Sequence, residues 1–506
     1  MKTLNKDWKL GAAVGTALSL GSAGAIAGPH GFDLHNVLNG ASAAMAGTSI
    51  AHVEDPVSAV FGNPATLTTY YGGTNFMFGA TFYMPRATMV HDGSAGYATS
   101  AAFDGILTDV NESIATSSRA TAVSNFAFNS TSKADVYAVP QVAVTQDLSG
   151  LGIPVVLGVG VTATSGIGVD YRHTSNSLGA GAELINLGVN AGIGMKMSDT
   201  LDVGVSMTIT YAMLEAGLTG SGNQVHDIGF RGTLGARKKI GDATTVAMYY
   251  QTEQKHEYDN LHVTSMTGDT FSSNLSGLTT PTIKCNADGS AAYNNAVCRQ
   301  DVEIEQPWNL GIGIAHDMGN GTLVMMDYTH KKWSDAKFFN EFYEDQDVIS
   351  LGIQKTMGNM KLRLGYGFAE DPLKDQLTNG VEIATIGGVN AAGETYTSPM
   401  YGLFMSYFQA METPVIYKHR VAAGLGVESF LGVPFLSLDT HVALQLEEDK
   451  CFGAGQSQTT DGVTGSQTAN GVSLTATADV AGCTAADHTK ATVSSFHLGG
   501  ALTWSF

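Results

Sequence analysis

Two spacings in the chain resemble the start of known reaction chemistry, and neither is completed. Ser130 and Lys133 form a Ser-x-x-Lys arrangement, in which an amine activates a hydroxyl for acyl transfer, but they sit in a Ser/Thr-rich stretch without the partner motifs such enzymes carry. His256-Glu257 opens like a zinc-binding helix and has no second histidine four residues after His256. Gly-x-Ser-x-Gly and a phosphate-binding Gly-rich loop are both absent. No catalytic residue, no metal and no cofactor is therefore expected, and an enzyme is not the expected reading.

What the chain does offer is recognition chemistry. Arg231, Arg237, Lys361, Arg363, Lys418 and Arg420 each lie on the polar face of a segment whose other face is apolar. Arg231, Arg363 and Arg420 are the candidate ligand-binding cations, because a guanidinium can hold a carboxylate through two parallel hydrogen bonds. The competing reading is that these cations are paired internally with Asp202, Asp227, Glu428, Asp439 or Glu447, since buried charges need partners.

The elements that must position them alternate with a two-residue period, which sends successive side chains to opposite faces of a strand. In Thr200–Ala212 one face reads Leu201, Val203, Val205, Met207, Ile209 and Tyr211, and the other is small or polar. Fourteen such segments can be drawn: 74–85, 136–147, 152–164, 184–197, 200–212, 226–238, 243–254, 306–316, 321–331, 346–357, 359–369, 416–430, 434–449 and 492–506. Their connections alternate between short turns and long loops, the latter including 86–135, 255–305, 370–415 and 450–491. Several apolar faces end in Tyr, Trp or Phe, as an interfacial girdle requires. The expectation is an all-β, fourteen-stranded antiparallel transmembrane barrel, with short turns on one side and long loops outside.

Composition agrees. Of 506 residues only 14% are charged, against roughly a quarter in average soluble proteins, and there are 61 glycines. Residues 1–27 read as a cleaved secretory signal: Lys2, Lys6 and Lys9 precede an apolar run, and Ala25-Ile26-Ala27 fits the small-x-small cleavage rule. Removing Lys2, Lys6, Lys9 and Asp7 leaves 23 basic against 45 acidic residues, a formal charge of -22, which argues against nucleic acid as a partner. Four cysteines in an exported chain imply disulfides. Three pairings are open; Cys285 with Cys298 and Cys451 with Cys483 is preferred, since each pair falls within one turn-rich loop.

Residues 28–73 fit neither strand nor linker. Gly31–Leu67 is rich in small residues, is helical through Ala41–Ala51, and ends in Asn63-Pro64-Ala65, where the proline restricts the preceding backbone. It reads as a hatch, or plug, inside the barrel formed by 74–506. Phe32 and Leu34 near its start are candidate ligand contacts. In the third strand, Gly158 and Gly160 are the candidate lateral gate, where glycine can bend or gap a wall.

Several stretches resemble the FadL-type outer-membrane transporters of long-chain fatty acids and other hydrophobic compounds. These are Gly31-Phe32-Asp33-Leu34, Ala46-Gly47 through Ala51 followed by Val60-Phe61-Gly62-Asn63-Pro64-Ala65, Asp327-Tyr328 with Trp333-Ser334, Leu362–Tyr366 and His419–Gly426. The resemblance implies a monomeric barrel in the bacterial outer membrane, among lipids and lipopolysaccharide. It also implies passive capture of hydrophobic small molecules at the outer loops, transfer to a pocket near the mature N-terminus, and sideways release after hatch movement. Long-chain fatty acids are the expected cargo. Aromatic or alkane hydrocarbons, a general porin and an adhesion barrel are the alternatives.

Overall fold

The computed structural model describes residues 36–91, 128–134, 136–174, 177, 180–216, 221–261, 300–341, 343–374, 414–453, 467–469, 472–474, 483 and 487–506. Strands β1 (Thr74–His91), β2 (Tyr137–Asp147), β3 (Val155–Asp170), β4 (Gly181–Lys196), β5 (Leu201–Ala216), β6 (Ser221–Ile240) and β7 (Thr244–Gln251) form the first half of one antiparallel sheet. Strands β8 (Asn309–Asp317), β9 (Thr322–Lys331), β10 (Gln346–Met357), β11 (Met360–Ala369), β12 (His419–Val427), β13 (Leu436–Gly453) and β14 (Asp487–Ser505) complete it. Each strand pairs with its neighbours in chain order, and β14 returns to β1 with Asn75 opposite Ser505 and Phe82 opposite Leu498. The sheet therefore closes into the expected fourteen-stranded barrel, so neither terminal strand is left as a free edge. A short strand, Phe128–Thr131, joins only the upper end of β1.

Outward faces are apolar: Phe78, Phe230, Leu364 and Leu498 are all exposed, at 44 to 59%. No described helix is long and apolar enough to cross a membrane. Strands reach further at the long-loop end than alternation indicated. β1 runs to His91, β4 starts at Gly181, and β5 and β6 extend to Ala216 and from Ser221. There the outward residues turn polar, as with Glu183 and Glu215, so the hydrophobic period fades while backbone pairing continues. A separate hairpin, Gln254–Leu261 with Gln300–Gln306, rises between β7 and β8. Cys451 and Cys483 are bonded, with Cα atoms 5.8 Å apart; Cys285 and Cys298 lie outside the described residues.

Residues 36–73 fill the barrel. Helix α1 (Gly40–Ala43) is a single turn; α2 (Pro56–Phe61) has proline at its first position and Asp55 as its cap, accepting from Ser58 N. Asn63 caps the 3-10 helix Pro64–Tyr70, its Oδ1 accepting from Ala65 N at 3.0 Å. The helical run is thus broken into short pieces rather than continuous through Ala41–Ala51. Gly72 and Gly73 then lead into β1 beside the chain's last residue, with Thr74 N donating to Phe506 O.

Candidate functional site

The plug is held by side chains projecting inward from the wall. On β9, Asp327 accepts from Ser49 N at 2.7 Å and Ile50 N at 3.0 Å. On β2, Gln141 donates to Leu38 O and accepts from Gly40 N. Asn190 on β4 donates to Val60 O, and Ser350 on β10 to Ala46 O. Asn63 reciprocates, donating to Ile50 O and to Ala236 O of β6. Inward glycines let the backbones approach: a Cβ at Gly204 would stand 2.3 Å from Pro64 C, and one at Gly365 2.4 Å from Ala46 N. The sequence reading gave Gln141 and Asn190 no role, and Asp327 only a place in a resembling stretch.

Within the plug, Asp55 Oδ2 accepts from Ala41 N, Ser42 N and Ser58 Oγ. Burial pushes the Asp55 carboxyl up to about 6, against hydrogen bonds from Ser58 that lower it. For Glu54, burial acts upward, but the His52 hydrogen bond and the charges of Lys361 and Arg363 outweigh it and hold the carboxyl well below the usual range.

The predicted cations divide. Arg363 donates to Asp439 Oδ1 at 2.5 Å and to Gln354, with Glu54 3.6 Å away, and Arg237 bonds Asp202, Thr68 and Thr69. Lys361 bridges Glu54 and Glu428. These are internal ion pairs, as the competing reading required, and they make the short-turn half of the lumen strongly polar. Arg231 donates to the carbonyl oxygens of Thr252 and Pro307. Arg420 differs: fully buried, it donates through Nη2 to Val37 O and Ala43 O of the plug, while its Nε and Nη1 have no partner among the described residues. Phe32 and Leu34 lie outside the described residues.

Above the plug the long-loop mouth is apolar. Trp333, Phe339 and Tyr343 pack edge-on and stacked within 5.2 Å centroid spacings, in one cluster with Tyr171, Leu214, Tyr258 and Phe452. Asp345 is taken by Lys332, and Asp347 by His330 and Tyr328. Between plug and wall a cavity of about 20 Å³ touches Asn39, Phe61, Thr162, Ala163 and Arg231, room for one water.

The described wall lacks a ladder where Ser221–Gly232 of β6 lies beside the hairpin strand Gln254–Leu261, and again between the upper parts of β2 and β3. β2 and β3 pair from Asp147–Val156 to Gln141–Thr162 and no further. A bulge shifts the β3–β4 register between Ala163 and Ser165. Pairing resumes at Asp170, whose carbonyl accepts from Lys133 N and whose N–H donates to Ser132 Oγ. Ala163–Val169 thus face Tyr137–Pro140 without a ladder, over about 20 Å of strand. Gly158 and Gly160 lie below this break, in continuous pairing, where they seat Leu67, Val60 and Phe61 of the plug. The discontinuity sits in the expected strand but not at those glycines.

Comparison by sequence finds no matching family model and no matching curated protein. Comparison of structures does find relatives in fold. A Pseudomonas aeruginosa FadL homologue aligns at 12% identity and TM-score 0.57, covering 94% of this chain and 99% of that one. The Pseudomonas putida toluene transporter TodX aligns at 16% identity and TM-score 0.54, over 93% and 99%. The Ralstonia pickettii toluene transporter TbuX aligns at 14% and 0.53, over 93% and 99%. The fold is one that solved transport channels use.

Proposed function

We propose that the chain is a passive outer-membrane channel for hydrophobic small molecules, working as a monomer with its long loops outward. One observation carries this reading: the lumen changes character along its axis. An apolar aromatic mouth lies above the plug, ion-paired Arg363, Asp439, Arg237 and Asp202 lie below it, and the wall is interrupted at the side between them. A hydrophobic molecule entering the mouth meets its most favourable surroundings there, and desolvating the charged half beneath would be costly. The exit that avoids that half is lateral, through the β2–β3 break into the bilayer, with the plug shifting rather than leaving.

For cargo, Arg420 supports a long-chain fatty acid. Its Nη2 now serves two neutral carbonyls, and a carboxylate would form roughly twofold stronger, charge-assisted bonds. Phe32 and Leu34, just upstream of Asn36, would then line the acyl end. A second reading, aromatic hydrocarbon, draws support from the toluene transporters that share the fold, and needs no cation.

Mass spectrometry of small molecules co-purifying with the full chain tests both, paired with uptake of hexadecanoic acid and toluene by cells expressing it. Fatty-acid uptake lost in Arg420→Gln, with toluene unaffected, supports the first reading. Uptake of neither, with free passage of sugars, refutes the channel for hydrophobic molecules in favour of a porin.

A further inference from the structure

The break between β2 and β3 is filled by side chains, and one of them is placed to move. Tyr137 is 7% exposed and clusters with Val37 and Leu38 of the plug, with Val139 and Ala163 on the two edges of the break, and with Ile185. Ile185 and the adjoining Met213 share the outward parity of the exposed Val189 and Ile209, so this apolar cluster runs from the plug through the wall to its outer face.

The far end of the ring identifies its seat. A Cβ at Gly168 would stand 2.3 Å from Tyr137 Oη and 2.9 Å from its Cζ. Gly168 pairs with Glu183, on the outward face of β4. Tyr137 therefore starts on β2 beside the plug and ends against the outward side of β3, across the unpaired stretch. Any residue larger than glycine at 168 would occupy the hydroxyl's position.

We propose that Tyr137 is the leaf of a lateral gate and Gly168 the stop on which it closes, so that this pair sets the width of molecule that leaves through the wall. The proposal rests on the lateral path described above. Where strands are paired, a passing molecule would have to part a hydrogen-bonded ladder in a medium that cannot replace those bonds. Here the ladder is already absent, and opening requires Tyr137 to leave its packing against Val37, Leu38 and Gly168 rather than the breaking of strand pairing.

The test uses cells expressing the full chain and matched narrow and wide cargo: hexadecanoic acid against a pyrene-tailed analogue, and toluene against naphthalene. For the class that wild type imports, Tyr137→Ala should raise the wide-to-narrow uptake ratio by about tenfold, the lower range of what one steric contact discriminates. Gly168→Ala, which displaces the ring, should move the ratio the same way, and Tyr137→Phe should keep the wild-type ratio. Should Tyr137→Ala not assemble as judged by heat-modified gel mobility, Tyr137→Leu carries the same expectation. An unmoved ratio in folded Ala or Leu variants and in Gly168→Ala overturns the gate while leaving transport intact. Uptake of neither class by wild type refutes the transport reading, and the gate with it.

Discussion

A Cβ on Gly235 would stand 1.8 Å from Oδ1 of Asn63, the residue that caps the plug's 3-10 helix and donates to Ala236 O on the same strand. Plug and wall are therefore in backbone-level contact at this point. Gly235→Ala must push Asn63 out of its cap, and overpacking of this kind costs roughly 1–3 kcal/mol. Liposomes carrying the variant should leak a hydrophilic dye that wild type retains. Dye retention equal to wild type, with unchanged thermal stability, would show that the fit is not tight.

The Asp327 carboxylate serves two plug N–H groups at once. Asp327→Ala leaves Ser49 N and Ile50 N without their acceptor, each a loss of roughly 1–3 kcal/mol. Hydrogen exchange at those two amides should accelerate strongly, and Asp327→Asn, which restores one acceptor, should fall between. Exchange that stays at the wild-type rate in the alanine variant would remove Asp327 from the anchor.

Glu54 ties the plug to Lys361 and Arg363. Its folded pKa lies below the ordinary value, so its stabilisation is fully present above about 4.5 and is lost only as pH falls through the lower folded value. Lowering pH from 7 to 5 should thus leave this tie intact, whereas Glu54→Gln should loosen the plug at pH 7. Asp55 has the opposite sign: its raised pKa makes the plug more stable as pH falls from about 6 toward 4. Thermal melts of wild type and Glu54→Gln across pH 4 to 7.5 separate the two; a melting temperature in wild type that drops between pH 7 and 5 would contradict both assignments.

The Cys451–Cys483 bond closes a 32-residue separation above β13 and β14. Those strands pair by their own ladder from Gly453–Asp487 down to Leu436–Trp504, with a register shift between Gln445 and Glu448. Reduction should expose the 454–482 region to protease while leaving the barrel's heat-modified mobility unchanged. Collapse of the barrel on reduction would assign the bond a larger role.

The wall was readable because lipid-type outward faces impose a strict period, and Thr200–Ala212 or Met360–Phe368 state it plainly. Strand ends were less readable, since Glu183 and Glu215 carry pairing into a polar zone where alternation gives no signal. Arg363 and Arg420 illustrate the limit at the site. Alternation places both inward, but only three-dimensional neighbours separate a cation paired with Asp439 from one left facing carbonyls. The β2–β3 ladder ends above Gly158 and Gly160, which stay in continuous pairing. Gly158 and Gly160 drew attention as flexible points, whereas their small size serves plug packing. Pro140, which cannot donate to a ladder, was the better clue.

The plug's stem at Gly72–Gly73 lies against Phe506, where β14 meets β1. In chain order the plug is made before any strand, and the seam beside its stem is the last to form. With Asn63, Ser49 and Leu38 gripped from different strands, the expected order of assembly is a wall closing around the plug rather than the filling of a finished tube. A rearranged chain with residues 36–73 moved behind β14 would have to thread a closed ring, and its failure to assemble would be a kinetic defect in a protein with every native contact still available.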